Sequence, residues 1–427
     1  MKRMAMGDWR WVATGHVGQT SRPQRASYQS RGDVAVCMIA YTDYAVDARV
    51  RREAETLAAN GFRVRCLTAQ RGDTPDAFVL NGVEVQELDV PKYRGKSTRA
   101  YVASYMRFVM RASTACLRLL IKGNLDVVHA HNIPDFLVLA GLLPRLVGRK
   151  VVLDVHDSVP ETFATKFSGG LLLRKMLILE ERLSARVADR VICVNAPQRD
   201  TLVARGIPEE KTFVSMNVPD PTIFGGVAAE RAVVTTPMDA TREFNLVYHG
   251  TMAKRLGVDL IIRAVAQLRT RLPRLRLNLW GSGDDLGEFQ TLVRGLGAQD
   301  LVRFKPEGYP LSELADHLRT MDLGIVGNRR NDACELMLPV KLVEYVSLGI
   351  PAIAPRLRTI EYYFSDDMVT YYEPEDVGSL ADAIERLAQA PAARDRQVAQ
   401  ARTFLTEHGW ERQGNELVNF YRKLVER

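Results

Sequence analysis

Lys341 and Glu344 sit three residues apart in ELMLPVKLVEYVSLGIPAIAP, residues 335–355. On a helix that spacing sets an ammonium and a carboxylate on one face. Pro339 suits the first helical position, where its missing N–H costs nothing, and Gly349 followed by Pro351 is a stop signal. The unpaired N–H groups near the helix start, around 336–338 with Leu338 among them, then point the same way. Such an end holds phosphate or sugar hydroxyls. The plainer reading is a solvated Lys–Glu pair before a helix-to-strand turn.

The elements around this segment are read from apolar periodicity. From Asp33 onward, strand-length apolar runs alternate with amphipathic helical stretches: VAVCMIAY, a helix over 49–60, FRVRCLTAQ, DVVHAH, KVVLDVHD, RVICVNA. Doubly apolar strands separated by helices predict a parallel sheet covered on both faces. After a stretch rich in Pro, Thr and small residues the same grammar returns in FNLVYHG, LRLNLWGSG, LVRFKPEG, DLGIVGN and IPAIAP. The expected organisation is α/β throughout: a basic N-terminal tail (1–32), a Rossmann-like domain (33–217), a linker (218–243), a second Rossmann-like domain (244–408), and a terminal helix (409–427) that crosses back to the first domain. Two doubly wound parallel-sheet domains facing each other place a ligand in the cleft at their strand ends.

Length and composition narrow the function classes. A chain of 427 residues, 46% hydrophobic, supports two or three domains. The formal charge of +7 suggests nucleic acid until it is located: six basic residues against Asp8 fall within the first 31, leaving a nearly neutral body. The five cysteines are scattered without a C-x-x-C spacing, which predicts free thiols in a reducing cytosol. No run of eighteen apolar residues occurs and no apolar signal core precedes residue 30, so a cytoplasmic or peripheral protein is expected.

With two Rossmann-like halves and the P-x-K-x-x-E-Y pattern of Pro339, Lys341, Glu344 and Tyr345, the chain resembles the retaining glycosyltransferases of the GT-B fold, in particular the large fourth family that uses nucleotide-sugar donors. The resemblance runs from Asp33 to the C terminus. It implies that Glu344 holds the donor ribose, and that the turn before its helix presents backbone N–H groups to the sugar or diphosphate. YHGTMAKRLGVD, residues 248–259, looks like the family's diphosphate loop: Gly250 admits the backbone closely, and Lys254 and Arg255 neutralise the leaving diphosphate. Gly281, in GSGDD, resembles the G-x-G turn near the base, and His131, in DVVHAHNIP, the histidine that reaches the donor sugar. Arg49 and Arg52, in the segment resembling the family's first helix, meet an anionic acceptor or donor, or pair with Glu53 and Glu55. Asp157, in DVHDSVPE, meets acceptor hydroxyls or caps the next helix. No D-x-D motif occurs there, so neither a metal nor a cofactor is expected; the nucleotide-sugar is a substrate.

The resemblance therefore implies a metal-independent hexosyltransferase acting on a UDP- or GDP-linked sugar and a glycan or lipid-linked acceptor. Two rivals stay open: a sugar-nucleotide epimerase on the same fold, and a non-catalytic scaffold, suggested by Leu336 and Thr251 where many active members are charged. On the acceptor side, residues 91–122 carry eight basic and no acidic side chains among Tyr, Phe, Met and Leu. Such a stretch either packs on the sheet or docks on an anionic membrane surface.

Overall fold

Two parallel sheets, each built from strands buried along most of their length, carry the architecture. The computed structural model describes residues 34–72, 74–93, 95, 97–166, 170–225 and 242–426. The basic tail 1–32 and most of the linker 218–243 lie outside the described residues.

In the first lobe, β1 (Ala35–Ala40), β2 (Arg63–Gln70), β3 (Ala77–Leu80), β4 (Val83–Pro91), β5 (Val127–His131), β6 (Lys150–Val155), β7 (Arg190–Cys193) and β8 (Thr212–Val214) form one sheet in the order β3-β4-β2-β1-β5-β6-β7-β8. Every residue of β1 and β5 is buried, as strands covered on both faces require. One strand departs from the parallel pattern. β3 pairs antiparallel with β4 through Asn81-Gly82, both at positive φ, a tight hairpin turn at the sheet edge. The second lobe holds β9 (Phe244–His249), β10 (Leu275–Trp280), β11 (Val302–Lys305), β12 (Leu323–Ile325), β13 (Ala352–Pro355) and β14 (Thr370–Tyr372), all parallel, in the order β11-β10-β9-β12-β13-β14.

Helices cover both faces. On one face of the first sheet, Phe108 and Cys116 of the helix Thr98–Ile121, Leu137 of the 3₁₀ turn Asp135–Gly141 and Ala185 of the helix Gly170–Val187 share a core with Cys37, Ile39 and Leu67. On the other face, Val50, Ala54 and Leu57 of the helix Ala48–Ala59 join a core that also takes in Leu417 and Tyr421 of the terminal helix, Trp410–Val425. The terminal helix thus packs on the first lobe: Trp410 Nε1 donates to Thr56 Oγ1 at 3.1 Å and Met216 N to Gln413 Oε1 at 2.9 Å. The five cysteines are free and buried.

Direct bonds join the lobes near the strand ends. Asn195 Nδ2 donates to Leu336 O at 2.9 Å, and Ala196 N to Tyr363 Oη at 2.8 Å. The segment predicted as linker contributes structure of its own before residue 226: Asp220 caps the short helix Pro221–Phe224 by accepting from Thr222 N at 2.8 Å.

Candidate active site

The C-terminal ends of β5 and β6 set the first side of the site. Alternation along β5 puts His129 and His131 on one face, and the register pairs His131 with Asp154 of β6. Asp154, fully buried, collects four contacts from three side chains. Arg49 donates twice, Nε to Oδ2 at 3.0 Å and Nη2 to Oδ1 at 2.8 Å; His131 Nδ1 lies 3.0 Å and His156 Nε2 2.7 Å from Oδ2. A two-pronged guanidinium is the strongest partner a buried carboxylate can have. Although burial would raise the Asp154 pKa, Arg49 and His156 hold it well below the usual carboxylate value.

The same field sorts the two histidines. Burial and the stacked ring of His129, 4.0 Å away, push His131 well below its ordinary pKa and keep it neutral. For His156 burial pulls the same way, but the Asp154 carboxylate outweighs it and raises the pKa. His156 is thus the charged imidazole, and it faces open space: it lines both inter-lobe cavities, whereas His131 lines neither.

Glu53, His129, His131 and Asp154 present donor atoms within 4.8 Å of one another, a set that could hold a cation. The Arg49 guanidinium lies among them, 3.0 Å from Glu53 Oε1 though off hydrogen-bond alignment. It supplies the positive charge this group of acids requires.

The helix Val340–Ser347 sets the other side. Pro339 is its N-cap residue rather than its first helical one, and Gly349 at φ 67° ends it. The free N–H groups expected at 336–338 are partly spoken for. Leu336 N donates to Ala333 O at 3.3 Å and Met337 N to Cys334 O at 3.2 Å, because the short helix Asp332–Glu335 leads straight into this turn. Glu344 is buried but for 9% of its surface, and its Oε2 lies 3.2 Å from His249 Nε2. Lys341 turns inward: its Nζ sits 3.6 Å from the Tyr248 ring centre and has no hydrogen-bond partner. Burial, helped by the nearby Arg255 charge, lowers its pKa to about 7, with Glu344 opposing.

Between these walls lie two communicating cavities that share His156, Asp157, Asn217 and Val340. The larger, about 470 Å³, is lined by Arg49, Arg52 and Asp220 on one side and by Leu311 and Glu344 on the other. The smaller, about 200 Å³, takes Asn195 and Gln198 from the first lobe and Leu336, Leu338 and Pro339 from the second. Arg52 donates through Nη2 to Asn217 Oδ1 at 2.8 Å and stacks on Trp410, while its buried Nε is unmatched. Of the carboxylates offered as partners for Arg49 and Arg52, Glu53 lies 3.0 Å from Arg49, whereas Glu55 pairs with Arg51 at 3.2 Å.

The glycine loops behave as close-approach devices. A Cβ on Gly281, at φ 121°, would stand 2.2 Å from Gly250 O, and one on Gly250 would reach 3.6 Å from Lys341 Nζ. Gly250, Gly281 and Lys341 therefore form one corner. Lys254 points away from it, exposed and paired with Glu288 Oε2 at 2.5 Å, because the 3₁₀ turn Lys254–Leu256 aims consecutive side chains in different directions. Arg255 lies near Lys341 electrostatically but lines neither cavity.

Of the residues singled out from the sequence, the structure brings Arg49, Arg52, Asp157, Leu338 and Glu344 to the cavities, gathers Gly250, Gly281 and Lys341 beside them, and leaves His131 and Lys254 off them. Sequence reasoning missed His156, Asp154, Asn217 and Asp220. For His156 a signal existed, since DVHD closes a strand next to the one ending in His131.

The chain matches two family models: a glycosyl transferase 4-like domain over residues 45–217 and glycosyl transferases group 1 over residues 243–390. Together they span about three quarters of it. A D-inositol 3-phosphate glycosyltransferase of Thermomonospora curvata is 25% identical over 397 residues, 86% of this chain and 88% of the relative. In fold, the chain is similar to a sucrose-phosphate synthase from Thermosynechococcus elongatus (TM-score 0.74, 19% identity, 92% and 99% of the two chains) and to a trehalose-6-phosphate protein from E. coli bound with UDP-2-fluoro glucose (TM-score 0.68, 12% identity, 92% and 99%). The protein belongs to the GT-B glycosyltransferases of the fourth-family type, and it is an enzyme of that class. No described helix is long and apolar enough to cross a membrane.

Proposed function

We propose that this enzyme moves a hexose from a nucleoside diphosphate sugar to a glycan or lipid-linked acceptor, with retention at the anomeric carbon and without a metal. The observation that carries the reading is the 470 Å³ cavity between the lobes, with Glu344 on its second-lobe wall and His156 and Asp157 opposite. Glu344 is suited to accept from ribose hydroxyls. The corner of Gly250, Gly281 and Lys341 offers the departing diphosphate close backbone and a buried cation, and Arg255 adds charge nearby. UDP as the nucleotide moiety is favoured by the UDP-2-fluoro glucose bound to the E. coli neighbour.

On the first-lobe side, His156 is charged by Asp154 and stands where a developing negative charge on the leaving group can be met. Asp157 and Asp220 are suited to acceptor hydroxyls, and the Arg52 guanidinium on the same wall to an anionic acceptor group. The inositol phosphate acceptor in the name of the Thermomonospora relative supports a polyol of this kind.

Purified protein incubated with UDP-glucose, UDP-N-acetylglucosamine or GDP-mannose is expected to release nucleoside diphosphate from one of them, faster with acceptor present, and to lose this on Glu344→Ala. Release that needs no acceptor and yields an epimerised donor would overturn the transferase reading. Failure of every donor even to shift the thermal transition would leave a scaffold.

A further inference from the structure

The described surface is not uniformly polar. Fifteen of its twenty exposed large apolar side chains fall in residues 98–121, 135–147 and 170–187, about an eighth of the chain. Monomeric proteins rarely gather exposed apolar groups so unevenly without a partner. These segments are neighbours: the turn Asp135–Gly141 packs against both long helices, and the short helix Leu142–Leu146 against the first of them.

Each long helix shows the same outward pattern. Along Thr98–Ile121, Val102, Met106, Met110, Leu117 and Ile121 make one exposed row, and Arg99, Arg107, Arg111, Arg118 and Lys122 make a second row about one residue round. Along Gly170–Val187, Leu172, Met176, Leu179 and Leu183 are flanked by Lys175, Arg182 and Arg186. Leu142, Leu143, Leu146 and Val147 protrude between them. No exposed acidic residue occurs in any of the three segments. The only carboxylates of the second helix, Glu180 and Glu181, face inward, Glu181 to Arg205 at 2.9 Å.

We propose that residues 98–121, 135–147 and 170–187 form a single monolayer-docking face that seats the first lobe on an anionic bilayer, apolar rows in the acyl boundary and basic rows on lipid phosphates. Charge decides between a bilayer and a second copy of the chain. A two-fold contact would lay cationic rows against cationic rows, in which, among the described residues, only Arg111 has a carboxylate partner, Asp89 at 3.1 Å, whereas an anionic leaflet complements the remaining charges. The near end of the face meets the cleft: Arg174 reaches Asp332 of the second lobe at 3.6 Å, beside Ala333 on the wall of the smaller cavity. A docked first lobe thus holds the cleft rim at the membrane surface, whichever donor and acceptor the enzyme takes.

The test is co-sedimentation of the full chain with vesicles of equal parts phosphatidylcholine and phosphatidylglycerol, against phosphatidylcholine alone. Partition to the mixed vesicles is expected, weakened by salt. The Arg118→Gln/Lys175→Gln pair should weaken it roughly twenty-five-fold, at about fivefold per charge. Leu172→Ser/Met176→Ser should weaken it without altering the thermal transition. Equal binding to both vesicle types, or none, overturns the proposal. So does a dimer in sedimentation velocity that Leu172→Ser/Met176→Ser dissociates. Turnover on a water-soluble acceptor reads the transferase assignment separately.

Discussion

Tyr421, six residues from the C terminus, shares a 2.5 Å hydrogen bond through its hydroxyl with Nδ1 of His129 on β5. The terminal helix therefore reaches under the strand that carries His131, and both partners are wholly buried. Tyr421→Phe keeps the ring and deletes the bond, leaving an imidazole nitrogen unmatched in a dry core. A loss of about 1–3 kcal/mol is expected in urea unfolding. An unchanged midpoint would show the bond contributes nothing.

His156 and His131 make opposite predictions although both lie near Asp154. His156 opens on the cavities and takes its charge from Asp154, so His156→Gln is expected to lower kcat at least tenfold, with a smaller loss of stability that shrinks as pH rises through the folded pKa. Its pKa is raised in the fold, so the stabilisation from its proton is complete below about 6.5 and fades as pH rises through the higher folded value. The kcat profile should fall over the same range. His131→Gln, buried and neutral, is expected to act chiefly on stability. Steady-state kinetics beside thermal melts separates them; a His131 variant that folds as the parent but loses kcat reverses the assignment.

Much of the fold was legible because parallel strands covered on both faces leave mainly apolar runs of strand length, broken only by single polar residues as in VVHAH and LRLNLW. The β3–β4 hairpin escaped that reading, since Ala77–Leu80 is short and half exposed, although Asn81-Gly82 announced its turn. At the site, Glu344 and Lys341 could be read from their spacing on a bounded helix. Direction could not. Whether Lys254 or Lys341 turns inward depends on a single 3₁₀ turn, and whether His131 or His156 meets the cleft depends on which side of Asp154 each ring falls, a matter of packing between strands 23 residues apart in sequence.

The corner between Gly250 and Gly281 has no room for a methyl group. A Cβ at Gly281 would lie 2.2 Å from Gly250 O, and φ 121° is a conformation that side chains avoid. Gly281→Ala is expected to cost about 1–3 kcal/mol and, by moving the Gly250 loop away from Lys341, to weaken nucleotide binding as well. Calorimetric titration with UDP on the folded variant checks the second effect. Parent-like affinity at reduced stability would detach this corner from the donor.

Lys341 gives the sharpest pH signature. Its folded pKa near 7 lies below its ordinary 10.5, so between these values the unfolded chain holds the proton and the folded chain does not. Stability relative to Lys341→Met should therefore rise with pH from about 7 to 10.5 and level off above, the reverse of a lysine held by a salt bridge. Binding runs the other way, because the diphosphate needs the ammonium: UDP affinity should fall as pH passes 7. Bound diphosphate, by adding negative charge beside Nζ, should pull the proton back, so that binding at pH 8 takes up a proton from buffer. Titration calorimetry in two buffers of different ionisation enthalpy measures that uptake directly. Lys341→Met should abolish it, and an identical proton count in both proteins would place the charge that meets the diphosphate elsewhere.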